Sequence, residues 1–220
     1  MWYRQVHRFE TVLRYTLQMA RPKVHDEALR VRLLDEAGRL LSEEGPAALS
    51  LRRLATDAGT STTAVYSLFG GKPALVRALY LEAFGRFGAR LNQVPKSGDP
   101  LVDLQALGVA YRESALADPH MYAVMFGQAI AEFEPEPDDA AVGMATMNPL
   151  VNAVRAAIEA GLLVDAEPMA VAVSLWAQAH GLVSLELGGS MPDGFDVAGN
   201  YQRLLTIAVR GWLRDQTLLP

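Results

Sequence analysis

The sequence predicts an all-α protein. Three observations carry that prediction. Apolar residues recur at three- and four-residue spacing along most of the chain. The segments that show this spacing open at Ser, Asp or Pro and close at Gly, as helices do. No stretch alternates apolar and polar residues as a half-buried strand would. The expected architecture is an N-terminal three-helix helix-turn-helix domain followed by a C-terminal helical bundle, about nine helices in all.

Taken in order, Leu29, Leu33, Ala37, Leu40 and Leu41 share one face of a helix over 26–41. Asp26 is its expected cap, and Gly45-Pro46 its stop. Ser50 then precedes Leu51, Leu54, Ala55 and Ala58, one buried stripe of a short helix. A serine hydroxyl there can accept an otherwise unpaired amide hydrogen. Gly59 supplies the positive φ of a tight turn. Ser61 caps a second short helix, with Val65, Leu68 and Phe69 inward, and Gly70-Gly71 ends it. Lys72-Pro73 opens a longer helix through Leu75, Leu79, Ala83, Phe87 and Leu91.

The turn-rich stretch from Val94 to Pro100 is the expected domain boundary. It divides residues 21–94, the helix-turn-helix domain, from 95–220, the helical bundle. Beyond it, 101–116 reads as helix, and Asp118-Pro119 restarts one through Met121, Met125 and Phe126. The acidic stretch from Glu132 to Asp139, with two prolines, reads as a solvated loop. Residues 144–163 read as a helix bent near Asn148-Pro149. The longest apolar segment, 168–187, carries Ser174, Gln178, His180, Ser184 and Glu186 and lacks basic flanks, which favours a buried core helix over a membrane span. Residues 195–213 form the last helix. Met19-Ala20 reads as a natural start, so 1–20 is expected to be an N-terminal extension, with 1–18 a mis-assigned upstream segment or a short extra helix.

Composition narrows the function. The 220 residues contain no cysteine, which excludes disulfides, thiolate metal sites and cysteine nucleophiles. The net charge of −5 hides a split. Residues 1–95 hold 14 Lys and Arg against 9 Asp and Glu; residues 96–220 hold 6 against 16. A phosphate-binding module joined to a non-binding one would show that pattern. No paired catalytic acids, glycine-rich phosphate loop or nucleophile motif supports an α-helical enzyme, and Gly70-Gly71-Lys72 is too short for a Walker loop. The other histidines, His7, His25 and His120, do not sit at metal-ligand spacing from His180, so neither a metal nor a cofactor is expected.

Residues 26–91 resemble the DNA-binding domain of the TetR family of bacterial transcriptional regulators. The pattern is Ala58-Gly59-Thr60-Ser61, followed by Tyr66, Phe69, Lys72 and Leu75. The second half resembles a WHG-type regulatory domain through Trp176, His180 and Gly181, followed by Leu182 to Glu186. One departure stands out: members often carry Gly or Pro, then Thr, where this chain has Thr63-Ala64, and Ala64 has no hydroxyl to offer a phosphate.

The resemblance makes the second short helix a reader of the major groove. Thr62, Thr63 and Ser67 suit base edges, a threonine methyl meeting a thymine methyl while its hydroxyl meets a polar edge. None makes arginine's bidentate contact to guanine, so DNA shape should share in specificity. Ser50, Arg52, Ser61, Tyr66 and Lys72 are the expected phosphate contacts, with the Tyr66 ring on the inner face. Ser50 and Ser61 could equally serve only as caps, Tyr66 only as core, and Arg52 or Arg53 only as solvated charge.

In the second half, Tyr111, Met121, Met125, Phe126, Met144, Met147, Trp176 and His180 could line a pocket for an apolar ligand, or simply form core. His180 could meet a ligand or satisfy a neighbouring hydroxyl. Leu182, Leu185, Leu204, Leu205, Ala208 and Trp212 offer a homodimer interface. The resemblance implies that these last two helices form a four-helix bundle across a two-fold axis. It also implies that ligand tilts the helix beginning at Lys72 and separates the two readers. The expected function is a cytoplasmic repressor, with a palindromic double-stranded operator and a small-molecule effector as partners and no membrane association. The alternative is a ligand-independent or architectural DNA-binding protein.

Overall fold

The computed structural model describes residues 22–127 and 133–215. The N-terminal extension and Glu132 lie outside the described residues. Among those described there are ten α-helices, one 3-10 turn and no strand. A single isolated bridge joins Leu163 and Leu213. The helices are α1 (Pro22–Glu44), α2 (Leu51–Asp57), α3 (Thr62–Phe69), α4 (Lys72–Asn92), α5 (Pro100–Ala117), α6 (Pro119–Phe126), α7 (Pro137–Ala145), α8 (Asn148–Glu159), α9 (Pro168–Leu187) and α10 (Val197–Arg210). Two compact units divide after Leu79, within α4, while the 94–100 connector expected as the boundary falls inside the second unit.

The first unit folds around Leu33, Leu34, Ala37 and Leu40 of α1, Leu54 and Ala55 of α2, and Val65 and Phe69 of α3, all buried. Both serine caps form. Ser50 Oγ accepts from Arg53 N at 3.2 Å, and Ser61 Oγ accepts from Ala64 N at 3.1 Å. Gly59 (φ 65°) makes the turn and Gly70 (φ 75°) closes α3, both in the left-handed region open to glycine. One expectation fails: α1 begins at Pro22, so Asp26 lies inside the helix rather than at its cap. Proline is tolerated in a first turn, where its missing N–H has no helical partner to lose.

In the second unit, Pro100, Pro119, Pro137 and Pro168 each open a helix. Asp99, Glu167 and Asp196 cap α5, α9 and α10 through side-chain oxygens. The expected acidic loop is corrected here. Pro137, Asp138 and Asp139 belong to α7, because proline fits the first helical position and carboxylates favour the positive end of the helix dipole. The expected 144–163 helix is instead the end of α7, a break at Thr146-Met147, and α8. Thr146 Oγ1 turns back to donate to Gly143 O at 2.7 Å and closes α7.

One cluster of this core joins α5, α8, α9 and α10 through Leu104, Val154, Val171, Leu175 and Val209. A second joins α4, α5, α6, α9 and α10 through Phe87, Tyr111, Tyr122, Ala179 and Leu205. Helix α9 is long and apolar enough to cross a membrane by length and composition. Its inner face, Val171, Ala172, Leu175, Ala179 and Val183, is buried in the unit.

Candidate functional site

Two regions have a geometry suited to binding, one in each unit. In the first, α2 and α3 are held at their junction by Leu54 and Val65, both fully buried. That leaves the outer edge of α3 in solvent. Thr63, Tyr66 and Ser67 are exposed there, and Thr62 is half-buried. The Tyr66 ring does not pack inward as expected: it is 54% exposed, because Val65 and Phe69 occupy the inner face and Tyr66 lies one residue out of phase with Val65. Its ring and hydroxyl both face water, as a contact surface needs.

The charged groups sort themselves by pairing. Arg53 is bound on both sides, its guanidinium donating to both Glu44 oxygens at 2.7 Å and to Asp57 at 3.3 Å. Glu44 is held below the usual carboxylate range by its hydrogen bonds from Arg53. Arg52 is exposed and makes no ion pair among the described residues. Lys72 is exposed at the start of α4, where its Nζ donates to Pro46 O at 3.3 Å. An ammonium carries three donors, so that bond leaves it two. The capping and phosphate roles of Ser50 and Ser61 are compatible. Each oxygen accepts a backbone amide, and each hydroxyl hydrogen remains free to be donated.

In the second unit a cavity of about 330 Å³ lies between helices. Tyr80, Phe84, Phe87 and Leu91 line it from α4; Leu104, Gln105, Leu107, Gly108 and Tyr111 from α5; Phe126 from α6. Met144, Thr146, Met147 and Leu150 line it from α7, α8 and the break between them, with Met169, Val173, Trp176 and Ala179 from α9 and Leu205 from α10. Five of the eight expected lining residues are therefore there: Tyr111, Phe126, Met144, Met147 and Trp176. Met121 and Met125 are not; Met121 is buried on α6 and Met125 packs into the core beside Tyr122.

His180 also stays off the cavity wall, for a reason visible in its bonds. Tyr111 Oη, Tyr122 Oη and His180 Nδ1 form a closed triangle with sides of 3.0, 3.0 and 2.8 Å. Trp176 Nε1 donates to Tyr111 Oη at 3.3 Å, and His180 Nε2 lies 3.4 Å from Ser184 Oγ. Burial pushes the His180 pKa down, which keeps the ring neutral, and pushes those of Tyr111 and Tyr122 up, which keeps both phenols protonated. A neutral ring with its hydrogen on Nε2 accepts at Nδ1, and both hydroxyl hydrogens are then spent inside the triangle. In this arrangement His180 is bonded to two tyrosine hydroxyls.

Of the residues expected at a dimer interface, Leu205 and Ala208 are withdrawn, because both are buried and line the cavity of their own unit. Trp212 is half-buried and donates from Nε1 to Ser174 Oγ at 3.3 Å. Leu182 and Leu204 are half-buried as well. Leu185 is exposed, and so is Ile207, which the sequence did not mark. Sequence reasoning also missed Tyr80, Phe84 and Phe87, whose i, i+4, i+7 spacing marks one aromatic stripe of α4. Gln105, Tyr122 and the Arg112–Glu186 pair carried no local signal.

Comparison with known proteins decides the family. Residues 33–79 match the family model described as bacterial regulatory proteins, tetR family, and residues 104–208 match the tetracyclin repressor-like C-terminal domain. The chain belongs to the TetR family. A relative in Mycobacterium tuberculosis, HTH-type transcriptional regulator Rv1816, is 28% identical over 142 residues, 62% of this chain and 58% of that protein. The chain thus spans less than two thirds of the curated relatives it matches. A protein of unknown function from Rhodococcus sp. RHA1 is 30% identical, with a TM-score of 0.69 over 84% of this chain and 96% of that one. The TetR family regulator PfmR of Thermus thermophilus shares the fold at 23% identity, with a TM-score of 0.66 over 79% of this chain and 96% of that one. TetR proteins of this kind are transcriptional regulators, not enzymes.

Proposed function

We propose that this protein is a homodimeric DNA-binding regulator, a repressor that a small, largely apolar ligand releases from a palindromic operator. The observation that carries the reading is α3, an eight-residue helix whose inner face is buried while Thr63, Tyr66 and Ser67 stand in solvent. Such a helix fits a major groove, and two copies would engage half-sites roughly 34–36 Å apart. Thr62, Thr63 and Ser67 read bases; Ser50, Arg52, Ser61, Tyr66 and Lys72 hold phosphates. The cavity supports the effector half of the reading, and α4 carries both Lys72 and the aromatic stripe that lines that cavity. Leu185 and Ile207 supply exposed apolar area for a second copy. Such a regulator works in the cytoplasm.

Mobility shifts on the gene's own upstream duplex and on a scrambled duplex test the reading. Lys72→Ala weakens both, and lowers the slope of log K against log salt by about 0.9 for each phosphate it ceases to neutralise. Thr63→Ala alters preference between the two duplexes. Unchanged affinity and slope for Lys72→Ala would remove its phosphate role, and no binding to either duplex at low salt would remove the function.

A further inference from the structure

The cavity's lining carries chemical information beyond its apolar character. Among the described residues, no Asp, Glu, Lys, Arg or His lines it. Its polar groups are few and largely committed. The Trp176 N–H is given to Tyr111, and Thr146 Oγ1 donates to Gly143 O. Gln105 Nε2 donates to Thr206 Oγ1 at 2.8 Å, which leaves its carbonyl oxygen and one N–H. With the His180 hydrogen on Nε2, the Tyr111 hydroxyl hydrogen stays inside the triangle with Tyr122 and His180. The phenol of Tyr80 stands on the same wall, its pKa pushed up by burial and, to a lesser degree, by the Asp139 carboxylate. An anion entering here meets no cation in the wall. An ammonium meets no carboxylate in the wall itself. Met144 is 60% exposed and Val173 44% exposed, so the cavity opens to solvent beside them. An ionic group drawn past that mouth to the wall formed by Phe87, Gln105 and Tyr111 would surrender its hydration without a partner, the costliest form of burial.

We infer that the cavity selects an uncharged molecule with one hydroxyl- or amide-sized polar group and rejects carboxylates and ammonium ions. This rests on the reading of the cavity as an effector site. Size follows from volume. At about 30 Å³ for each water-sized group, 330 Å³ holds about eleven non-hydrogen atoms. The polar group pairs with Gln105 or Tyr80, and the rest of the molecule lies between the aromatic wall of α4 and the methionines Met144, Met147 and Met169. Thioether sulfurs and ring edges both accommodate apolar shapes closely.

Calorimetric titration of the full chain, without DNA, tests the inference with decan-1-ol, decanoate and decylammonium at neutral pH. These probes share a chain and differ in charge. Decan-1-ol binds at least tenfold more tightly than either ion. A second arm places a cation in the wall: Gln105→Lys, checked for helicity by circular dichroism, tightens decanoate binding at least tenfold. Decanoate or decylammonium equal to the alcohol in the unmodified protein overturns the inference, and so does decanoate binding that Gln105→Lys leaves unchanged. If the variant does not fold, the unmodified protein's ranking decides alone. Failure of the DNA reading shows separately, in the mobility shifts, so ionic probes binding well would overturn the ligand class and leave the regulator standing. Failure of all three probes to bind overturns the inference and the effector cavity together.

Discussion

Gly108→Ala measures whether the cavity can take up a displaced side chain. A Cβ at Gly108 would stand 2.5 Å from Leu205 Cδ1 and 3.2 Å from Cδ2. Something must move. In a close-packed core that overlap costs about 1–3 kcal/mol. Against it, replacing a mid-helix glycine with alanine gains about 0.8–1.0 kcal/mol. Leu205 borders the cavity, and the clashing atoms are the free end of its side chain. Rotation into the cavity relieves the overlap, so the cost falls to the low end and the two terms nearly cancel. The expected change in Tm is within about 4 °C, the shift that about 1 kcal/mol produces in a chain of this size. The relief comes at the expense of space. About one water-sized volume, ~30 Å³, is removed from the 330 Å³. Affinity for decan-1-ol should fall several-fold. Differential scanning calorimetry gives the first quantity and titration the second. A fall in Tm beyond about 8 °C with unchanged decan-1-ol affinity would mean that Leu205 has nowhere to go, and the cavity beside it would be refuted.

Two further predictions concern what holds the second unit together. Glu186→Gln removes the charge that Arg112 grips from across the helix pair, Nε donating at 2.7 Å, with both side chains less than a fifth exposed. The amide oxygen that replaces the carboxylate can still accept one bond from the guanidinium, so what is lost is the charge-assisted part and the second bond, about 1 kcal/mol, and the urea midpoint should drop accordingly. The Arg112 guanidinium also lies 5.5 Å from the Tyr201 ring centroid, which keeps part of its environment intact in the variant. The second concerns pH. His180 has a folded pKa below its unfolded value because of burial. Its neutral form is favoured in the folded state, so its contribution is present above the unfolded value of about 6.5 and is lost as pH falls through the lower folded value. Denaturant unfolding at pH 7.5 and in steps down to pH 5 should show a larger loss in the native protein than in His180→Gln; equal losses would contradict the burial argument.

The helix-turn-helix was legible because its determinants are local. Each cap lies three residues from the amide it satisfies, and the turn glycine lies between the two helices it joins. Where the sequence misled, nearby residues supported two structures. Pro137 with Asp138 and Asp139 describes both a solvated loop and a helix N-terminus. The choice fell to burial: Asp139 is 1% exposed, and no solvated loop would hold it there. Tyr66 misled in the opposite way. An aromatic residue beside Val65 reads as core, yet a helix this short has room for one inner stripe, and Val65 with Phe69 fills it.

The cavity was only half legible, and the division follows distance along the chain. Trp176 and Tyr111 were found because methionine and aromatic content marks an adaptable core. The network that fixes them was invisible, since Tyr111 meets His180 across 69 positions of sequence. Charge counting has the same blindness. The first 95 residues carry five more basic than acidic groups, but Arg53 is consumed by Glu44 and Asp57, and Arg39 by Glu36 and Glu43. Which cations beside α3 keep their charge in solvent is therefore set by pairing rather than by the total. Arg52 and Arg53 are adjacent and chemically identical, and the sequence cannot tell which of them is available. Their Cβ directions can: on a helix they diverge by about 100°. One guanidinium turns back to the end of α1 and is neutralised there, while the other keeps its charge in solvent. A phosphate-contacting surface requires that second outcome.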